Sequence, residues 1–115
     1  MIISEKIISN ISVLTPEGSL DAATVPQLKN FTAKSEVTPT LVLNLSGVDF
    51  LDSSGLGAIV GMARNKRESG GDVVLACMND KVRKVFEITQ VARLFHIFDD
   101  LEAAAGYAEK QQKSL

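Results

Sequence analysis

With 115 residues, 45% of them hydrophobic, the chain has the length and composition of one small globular domain. A formal net charge of −2 supplies no general attraction for nucleic acids or anionic membranes, and the charges within the opening MIISEKIISN do not fit a signal peptide. The single cysteine, Cys77, excludes an internal disulfide, and with only one histidine it leaves no metal-ligand cluster. We therefore expect a cytoplasmic protein without nucleic-acid binding, membrane insertion, metal or other cofactor.

The first half of the chain alternates between strand-like and helix-like patterns. Residues 1–8 and 11–18 are rich in β-forming residues and are separated by a Ser-Asn pair, which predicts an antiparallel pair of strands. A helix is predicted over about residues 24–34, with a capping box formed by Thr24 and the glutamine three positions later. The nearly continuous apolar run over residues 41–45 is typical of a strand that is covered on both faces.

The second half continues the alternation. The segment after Asp52 has an apolar stripe at helical spacing, and a glycine pair at residues 70–71 ends it. The remaining elements follow in chain order: a buried strand over residues 72–78, a helix capped by Asn79 or Asp80, a short strand over 93–98, and a helix from the Asp99-Asp100 pair to Ala108. The order β-β-α-β-α-β-α-β-α predicts the α/β class, as one small mixed β-sheet packed with about four helices and paired in parallel after the first hairpin.

Residues 50–61, FLDSSGLGAIVG, carry the main functional signal. Gly55, Gly57 and Gly61 follow a strand and open a helix with the spacing G-x-G-x-x-x-G, one residue longer than the dinucleotide-binding fingerprint. A small nucleotide-binding enzyme is therefore one alternative, although Asp52 in the same turn would repel a pyrophosphate. Because glycine is unfavourable inside a helix, Gly57 and Gly61 indicate either close packing within the domain or a surface that a partner approaches.

The two serines of this segment allow two further interpretations. Asp52, Ser53 and Ser54 have the composition of a helix cap. Alternatively, Ser54 is itself modified, since a phosphate in the first turn would lie beside free backbone N–H groups and the positive end of the helix dipole. Gly55 and Gly57 remove side chains around its hydroxyl, so that the active site of a kinase could reach it. The residues alone favour the cap and the switch about equally.

Three weaker features have simple structural interpretations. Neither serine lies in the G-x-S-x-G turn of a serine hydrolase, and the only histidine, His96, lies in the apolar run LFHIF, where a structural role is expected. Cys77 follows an apolar run and is expected to be buried and inert. A basic triplet predicts either a solvated helix face or a docking surface for an acidic partner; it consists of Lys81, Arg83 and Lys84.

The segment FLDSSGLGAIVG resembles the signature loop of the STAS domain, the anti-sigma factor antagonist family. Upstream, GSLDAATVPQLKN is similar to the family segment that supplies Asp21 and Thr24, with Ser19 at a position where many members carry glutamate. Downstream, NDKVRKVFEITQVARLFHIFDDLEAAAGY is similar to the closing helix, strand and helix. The resemblance covers residues 2–110 as one STAS domain and leaves residues 111–115 as a frayed tail.

The resemblance implies a set of site residues. Ser54 matches the residue that is phosphorylated in the family, Asp52 and Ser53 match its supporting loop, and Asp21 matches a nearby acid. No residue is implied to be catalytic. The rest of the partner-binding switch loop consists of Thr24, Gly55, Leu56 and Gly57.

The resemblance also implies a mechanism. In the family, the unphosphorylated antagonist binds an anti-sigma factor that is also a serine kinase with a histidine-kinase-like ATPase fold, and sigma factor is released. Phosphorylation of the serine frees the kinase to recapture sigma factor, and a metal-dependent PP2C-type serine phosphatase resets the cycle. The chain would then be a binding protein and not an enzyme. Two alternatives stay open: a STAS subunit of a stress-sensing or lipid-transport complex, and the small nucleotide-binding enzyme.

Overall fold

Strands and helices alternate through the chain in the computed structural model, which describes residues 1–34 and 38–113. In these ranges the elements are β1 (Ile2–Ile8), β2 (Ile11–Leu20), α1 (Val25–Lys34), β3 (Thr40–Asn44), β4 (Val48–Leu51), α2 (Ser53–Glu68), β5 (Asp72–Ala76), α3 (Asp80–Ile88), β6 (Ile97–Phe98) and α4 (Leu101–Lys113). A short 3₁₀ helix, Val91–Leu94, precedes β6. None of the helices in the described ranges is long and apolar enough to cross a membrane.

The strands form one mixed sheet of six strands in the described part of the chain. β1 and β2 are antiparallel, and β3, β5 and β6 extend the sheet from β2 through parallel pairs. β4 lies off this path and pairs in parallel with the end of β2, where Leu20 is opposite Leu51. The predicted α/β class, the N-terminal antiparallel pair and the parallel pairing after it are confirmed.

The sheet has hydrophobic cores on both faces. Helices α1, α2 and α3 cover one face, on which Leu41 and Leu43 of β3 pack against Ile59 and Phe86. Helix α4 covers the other face, where a row of alanines in α4 meets Val42 and other residues of the strands. All five residues of β3 are buried, as the continuous apolar run predicted.

The predicted order omits one strand. The sequence predicts one strand, over residues 41–45, before the serine motif, whereas the structure has β3 and β4, joined by a turn at Ser46 and Gly47. β4 has only four residues, and its two central residues, Asp49 and Phe50, are exposed. It therefore lacks the apolar run that identifies a buried strand.

Three local predictions are wrong in part. The capping box is not formed, because the Thr24 hydroxyl accepts a hydrogen bond from the Asp21 N–H (3.0 Å) and donates one to the Ser19 carbonyl (2.8 Å). The predicted strand over residues 93–98 is reduced to β6, since Val91–Leu94 forms the 3₁₀ helix. Helix α4 continues beyond Ala108 to Lys113, so residues 111–113 of the predicted frayed tail are helical, and residues 114–115 lie outside the described ranges.

Cys77 is less buried than predicted, and His96 makes a ring contact that agrees with its predicted structural role. Cys77 is only partly buried and has a left-handed backbone conformation with φ of 61°. Burial, and then the charges of Asp100 and Asp99, raise the pKa of its thiol, so that the reactive thiolate is disfavoured. The side chain of His96 is exposed and lies against the ring of Tyr107, with the ring centroids 4.6 Å apart.

Candidate functional site

The predicted site residues lie on two adjacent turns at one edge of the sheet. β2 and β4 are parallel neighbours, so their carboxyl ends lie side by side, and α1 and α2 both begin just beyond them. The Asp52 N–H donates a hydrogen bond to the Leu20 carbonyl at 3.3 Å, which ties the two turns together. The structure thus brings the Asp21 turn and the serine motif next to each other.

The N-cap of α2 is Asp52, and neither serine hydroxyl takes this role. Asp52 has an extended backbone, and its Oδ1 accepts a hydrogen bond from the Gly55 N–H at 2.9 Å, while its carbonyl accepts one from the Leu56 N–H. Ser53 and Ser54 are the first two residues of the helix, and both are exposed. The cap interpretation therefore applies to Asp52 and leaves the hydroxyls of both serines free of this role.

The first turn of α2 leaves two backbone donors available. Among the described residues, no acceptor bonds the N–H groups of Ser53 and Ser54, in contrast to the next two N–H groups, which bond Asp52. The N-terminus of a helix carries a partial positive charge and favours bound anions. A phosphate on the Ser54 hydroxyl would therefore have two donors and a favourable dipole beside it.

Gly55 and Leu56 support the turn from inside the domain. A Cβ atom on Gly55 would overlap the backbone oxygen of Leu20 and would lie 2.8 Å from Cδ1 of Leu51. This position requires glycine because the backbone of α2 approaches the end of β2 so closely. Leu56 is 8% exposed and packs in the core beneath the helix. Both residues are buried and hold the loop in place.

Asp21 and Thr24 stabilise the neighbouring turn. Oδ1 of Asp21 accepts hydrogen bonds from the Ala23 and Thr24 N–H groups at 3.0 and 3.2 Å. The Asp21 carboxylate is only partly buried, so its charge still reaches the surface next to the serine motif. Ser19, the residue that departs from the family pattern, donates its hydroxyl to Oδ1 of Asp49 on β4 at 3.2 Å.

A groove of about 690 Å³ runs between α1 and α2, and Ser54 lines it. Gly57 and Gly61 line the same groove, and a Cβ atom on either glycine would meet no other atom within 4 Å. Packing within the described domain therefore does not require these two glycines. The two glycines instead leave open space along the face of α2 that lines the groove.

The groove also contains residues that the sequence analysis did not select as site residues. Lys29 and Thr32 line it from α1, and Arg64 and Lys66 line it from α2. Positions 54, 57, 61 and 64 share one face of α2 because they follow helical spacing, and this spacing is the signal that could have identified Arg64. The basic triplet of α3 does not line the groove: Arg83 pairs with Asp99, while Lys81 and Lys84 are exposed.

Two residues at positions typical of a nucleotide site have structural roles: Gly55, and Asn79, which lies about 20 residues beyond the glycines, where a dinucleotide-binding domain carries its ribose-binding residue. Glycine is required at position 55 because the backbone of α2 lies too close to the Leu20 carbonyl for a side chain. Asn79 caps α3, where its Oδ1 accepts a hydrogen bond from the Val82 N–H at 3.0 Å and its amide donates to the Val48 carbonyl at 2.7 Å. Both polar atoms of the Asn79 side chain are thus engaged in capping α3 and holding it against β4.

The pattern of the STAS domain matches residues 3–104. The chain belongs to the STAS domain family. The resemblance based on FLDSSGLGAIVG is thereby confirmed, and the serine motif of this STAS domain lies in the turn between β4 and α2.

Relatives of this STAS domain include named regulators. The anti-sigma-B factor antagonist of Staphylococcus aureus is 30% identical over 87 residues, which is 74% of this chain and 81% of the relative. A crystal structure of a Thermotoga maritima protein is 28% identical, covers 92% of this chain and 93% of its own, and superposes with a TM-score of 0.81. The Bacillus cell fate determinant SpoIIAA in its phosphorylated form is 22% identical, covers 92% and 98%, and has a TM-score of 0.70, so it shares the fold.

Proposed function

We propose that this protein is an anti-sigma factor antagonist whose binding to its anti-sigma factor is switched by phosphorylation of Ser54. The unphosphorylated form binds an anti-sigma factor that is also a serine kinase with a histidine-kinase-like ATPase fold, and sigma factor is released in the cytoplasm. Phosphorylation of Ser54 ends this binding, and a PP2C-type phosphatase restores it. The protein supplies a hydroxyl and a binding surface and no catalytic group of its own.

The observation that carries this proposal is the exposure of Ser54 in the first turn of α2, while Asp52 holds the cap. A modified residue must present its hydroxyl to another active site without a loss of helix stability. Because the Gly55 N–H is bonded to Asp52, the hydroxyl of Ser54 is not needed for the cap. A phosphate can therefore be added and removed while the helix stays capped.

Ser54 is favoured over Ser53 by its position relative to the groove. Ser54 lines the groove between α1 and α2, and Gly57, which faces the same groove, has no side chain to cover it. Ser53 is exposed but is not among the groove residues. The names of the relatives support the regulatory role, and the phosphorylated form of SpoIIAA is an example of such a modification on this fold.

The test is to incubate the purified protein with the serine-kinase anti-sigma factor of the same genome and Mg·ATP. Intact mass should rise by one phosphate, and peptide mapping should place it on Ser54. The variant Ser54→Ala should bind the kinase as tightly as the unmodified protein and accept no phosphate, and Ser54→Asp should bind at least tenfold more weakly. Ser53→Ala is the matched control and should still be phosphorylated.

Two outcomes would contradict the proposal. A phosphate on Ser53 would show that the acceptor is wrong. Equal kinase affinity for Ser54→Ala, Ser54→Asp and the phosphorylated protein would show that Ser54 is not a switch. Labelling by ATP in the absence of any kinase would instead favour the nucleotide-binding enzyme, and absence of both binding and labelling would favour a STAS subunit of another assembly.

A further inference from the structure

The groove between α1 and α2 combines an apolar floor with a positively charged rim. Leu28 and Ala58 on its floor are buried, and Met62 is half-buried. Three of the described lining residues are cationic and none is acidic, although the chain as a whole has a net charge of −2. The cations are Lys29, Arg64 and Lys66. The charge of the groove is therefore opposite to that of the whole protein.

The cations at the rim are available to a partner. Among the described residues, neither Lys29 nor Arg64 forms an ion pair, whereas Arg67 and Arg83 are paired with aspartates. Lys66 donates a hydrogen bond to the Thr38 carbonyl at 3.3 Å, and burial lowers the pKa of its amine. Carboxylates placed over the groove would satisfy these charges, most directly at Lys29 and Arg64.

The shape of the groove fits a helix. Gly57 and Gly61 face it one turn apart, and nothing in the described domain fills the space where their side chains would stand. Glycine weakens a helix relative to alanine, while small residues allow two helices to approach closely. From Ser54 to Asn65 the groove follows α2 for about 16 Å, which is the length of about three turns of a docked helix.

From these features we infer that the groove binds an acidic amphipathic helix of the anti-sigma factor. The apolar side of that helix packs on the glycines and Met62, and its carboxylates pair with Lys29 and Arg64. This inference rests on the proposed function and adds the chemistry of the partner to it. Ser54 stands at the end of the groove remote from Arg64, so a phosphate there places negative charge beside an acidic helix and weakens binding.

The experiment measures binding of the purified anti-sigma factor kinase to variants of the groove by calorimetry at 50 and 300 mM salt. Arg64→Glu and Gly61→Leu should each bind more than tenfold more weakly, and Arg64→Lys should stay within about threefold. The affinity of the unmodified protein should fall with salt more steeply than that of Arg64→Glu. Circular dichroism of each variant verifies that it is folded.

Two matched controls isolate the groove. Lys84→Glu reverses an exposed charge on α3, and Gly106→Leu fills an open position on α4 in which a Cβ atom meets nothing within 4 Å. Both should bind the kinase within about twofold of the unmodified protein. A loss of binding in Lys84→Glu with normal binding in Arg64→Glu would mean that the acidic partner docks on α3, and it would overturn the inference.

The remaining outcomes separate the inference from the proposed function. Phosphorylation of Ser54 with normal kinase affinity in both Arg64→Glu and Gly61→Leu would overturn the inference and leave the proposed function intact. No kinase binding and no phosphorylation of the unmodified protein would overturn both. If the protein formed a dimer that Gly61→Leu disrupts, the groove would bind a second copy of the chain. If it bound free ATP and Arg64→Glu abolished this binding, the groove would be a nucleotide site. Either result would overturn the inference.

Discussion

Replacement of Gly55 by alanine tests whether the contact between the two turns holds the site together. Gly55 is the third residue of α2, and an added methyl group would overlap the backbone oxygen of Leu20. It would also lie 2.8 Å from Cδ1 of Leu51 and 2.9 Å from Cγ of Leu20. The Leu20 oxygen cannot simply move away, because it accepts the hydrogen bond from the Asp52 N–H.

The expected loss of stability follows from two opposing terms. Overpacking of this kind costs about 1–3 kcal/mol. The higher helix propensity of alanine returns at most about 1 kcal/mol. The free energy of unfolding of Gly55→Ala should therefore fall by about 1–2 kcal/mol, which lowers the melting temperature of a domain of this size by about 4–8 °C.

Gly61→Ala is the matched control on the same helix. A Cβ atom there meets no atom within 4 Å, so only the propensity term applies. Its free energy of unfolding should rise by about 1 kcal/mol, and its melting temperature by about 4 °C. Urea titration and thermal melts measure the stability of both variants. Unchanged m-values would show that both unfold in the same reaction as the unmodified protein. Equal shifts in the two variants would refute the close approach of Gly55 to Leu20.

Two further predictions follow from the cap and from the thiol. Asp52→Ala should lower the free energy of unfolding by about 1 kcal/mol, while Ser53→Ala should change it by less than about 0.5 kcal/mol, as measured by urea titration. The opposite ranking would mean that Ser53 is the cap. Because the pKa of Cys77 is raised on folding, its reaction with Ellman's reagent at pH 8 should be slower than that of glutathione and should keep accelerating above the ordinary thiol pKa. The same shift means that the free energy of unfolding falls as pH rises from the thiol pKa of the unfolded chain to the raised pKa of the folded one, and Cys77→Ser should lack this decline. Reaction with Ellman's reagent as fast as that of glutathione would contradict the raised pKa.

The sequence predicts the centre of the sheet better than its edge. β3 and β5 are recognisable because each is a run of apolar residues buried on both faces. β4 is not recognisable, since its short segment exposes Asp49 and Phe50 and pairs in the described sheet with the end of β2 alone. Its existence depends on a tertiary contact that no local pattern records.

The same distinction applies to the site. The serine motif is continuous in sequence, so its turn, its helix and the exposure of Ser54 could be predicted from local rules. The groove depends on two helices that are separated in the chain, and the presence of Lys29 and Arg64 in one groove follows only from the way in which α1 and α2 pack on the sheet. Residues 35–37, which follow α1, lie outside the described ranges.

Two opposing electrostatic effects act on a phosphate at Ser54 in the free protein. On the free protein the phosphate gains about 0.3–1 kcal/mol from the N-terminus of α2. Repulsion by the Asp52 carboxylate costs about 0.7 kcal/mol for each unit of phosphate charge, for a separation of about 6 Å and a solvent-like dielectric near 80. These terms nearly cancel, so phosphorylation should change the free energy of unfolding by less than about 1 kcal/mol. Urea titration of the phosphorylated protein measures this difference.

In the proposed complex with the anti-sigma factor kinase, docking would exclude water from the groove and strengthen these charge interactions. At an effective dielectric near 20, the same pair of charges at about 6 Å repels by about 3 kcal/mol, and an acidic residue of the partner would add to the repulsion. The increase over the repulsion in the free protein is about 2 kcal/mol, which corresponds to a loss of affinity of roughly thirtyfold. Calorimetry on the same phosphorylated preparation should therefore show a large loss of kinase binding beside nearly unchanged stability. If phosphorylation instead lowered stability by several kcal/mol, the switch would act by unfolding the turn of Asp52 and Ser54, and the separation of cap from switch would be wrong.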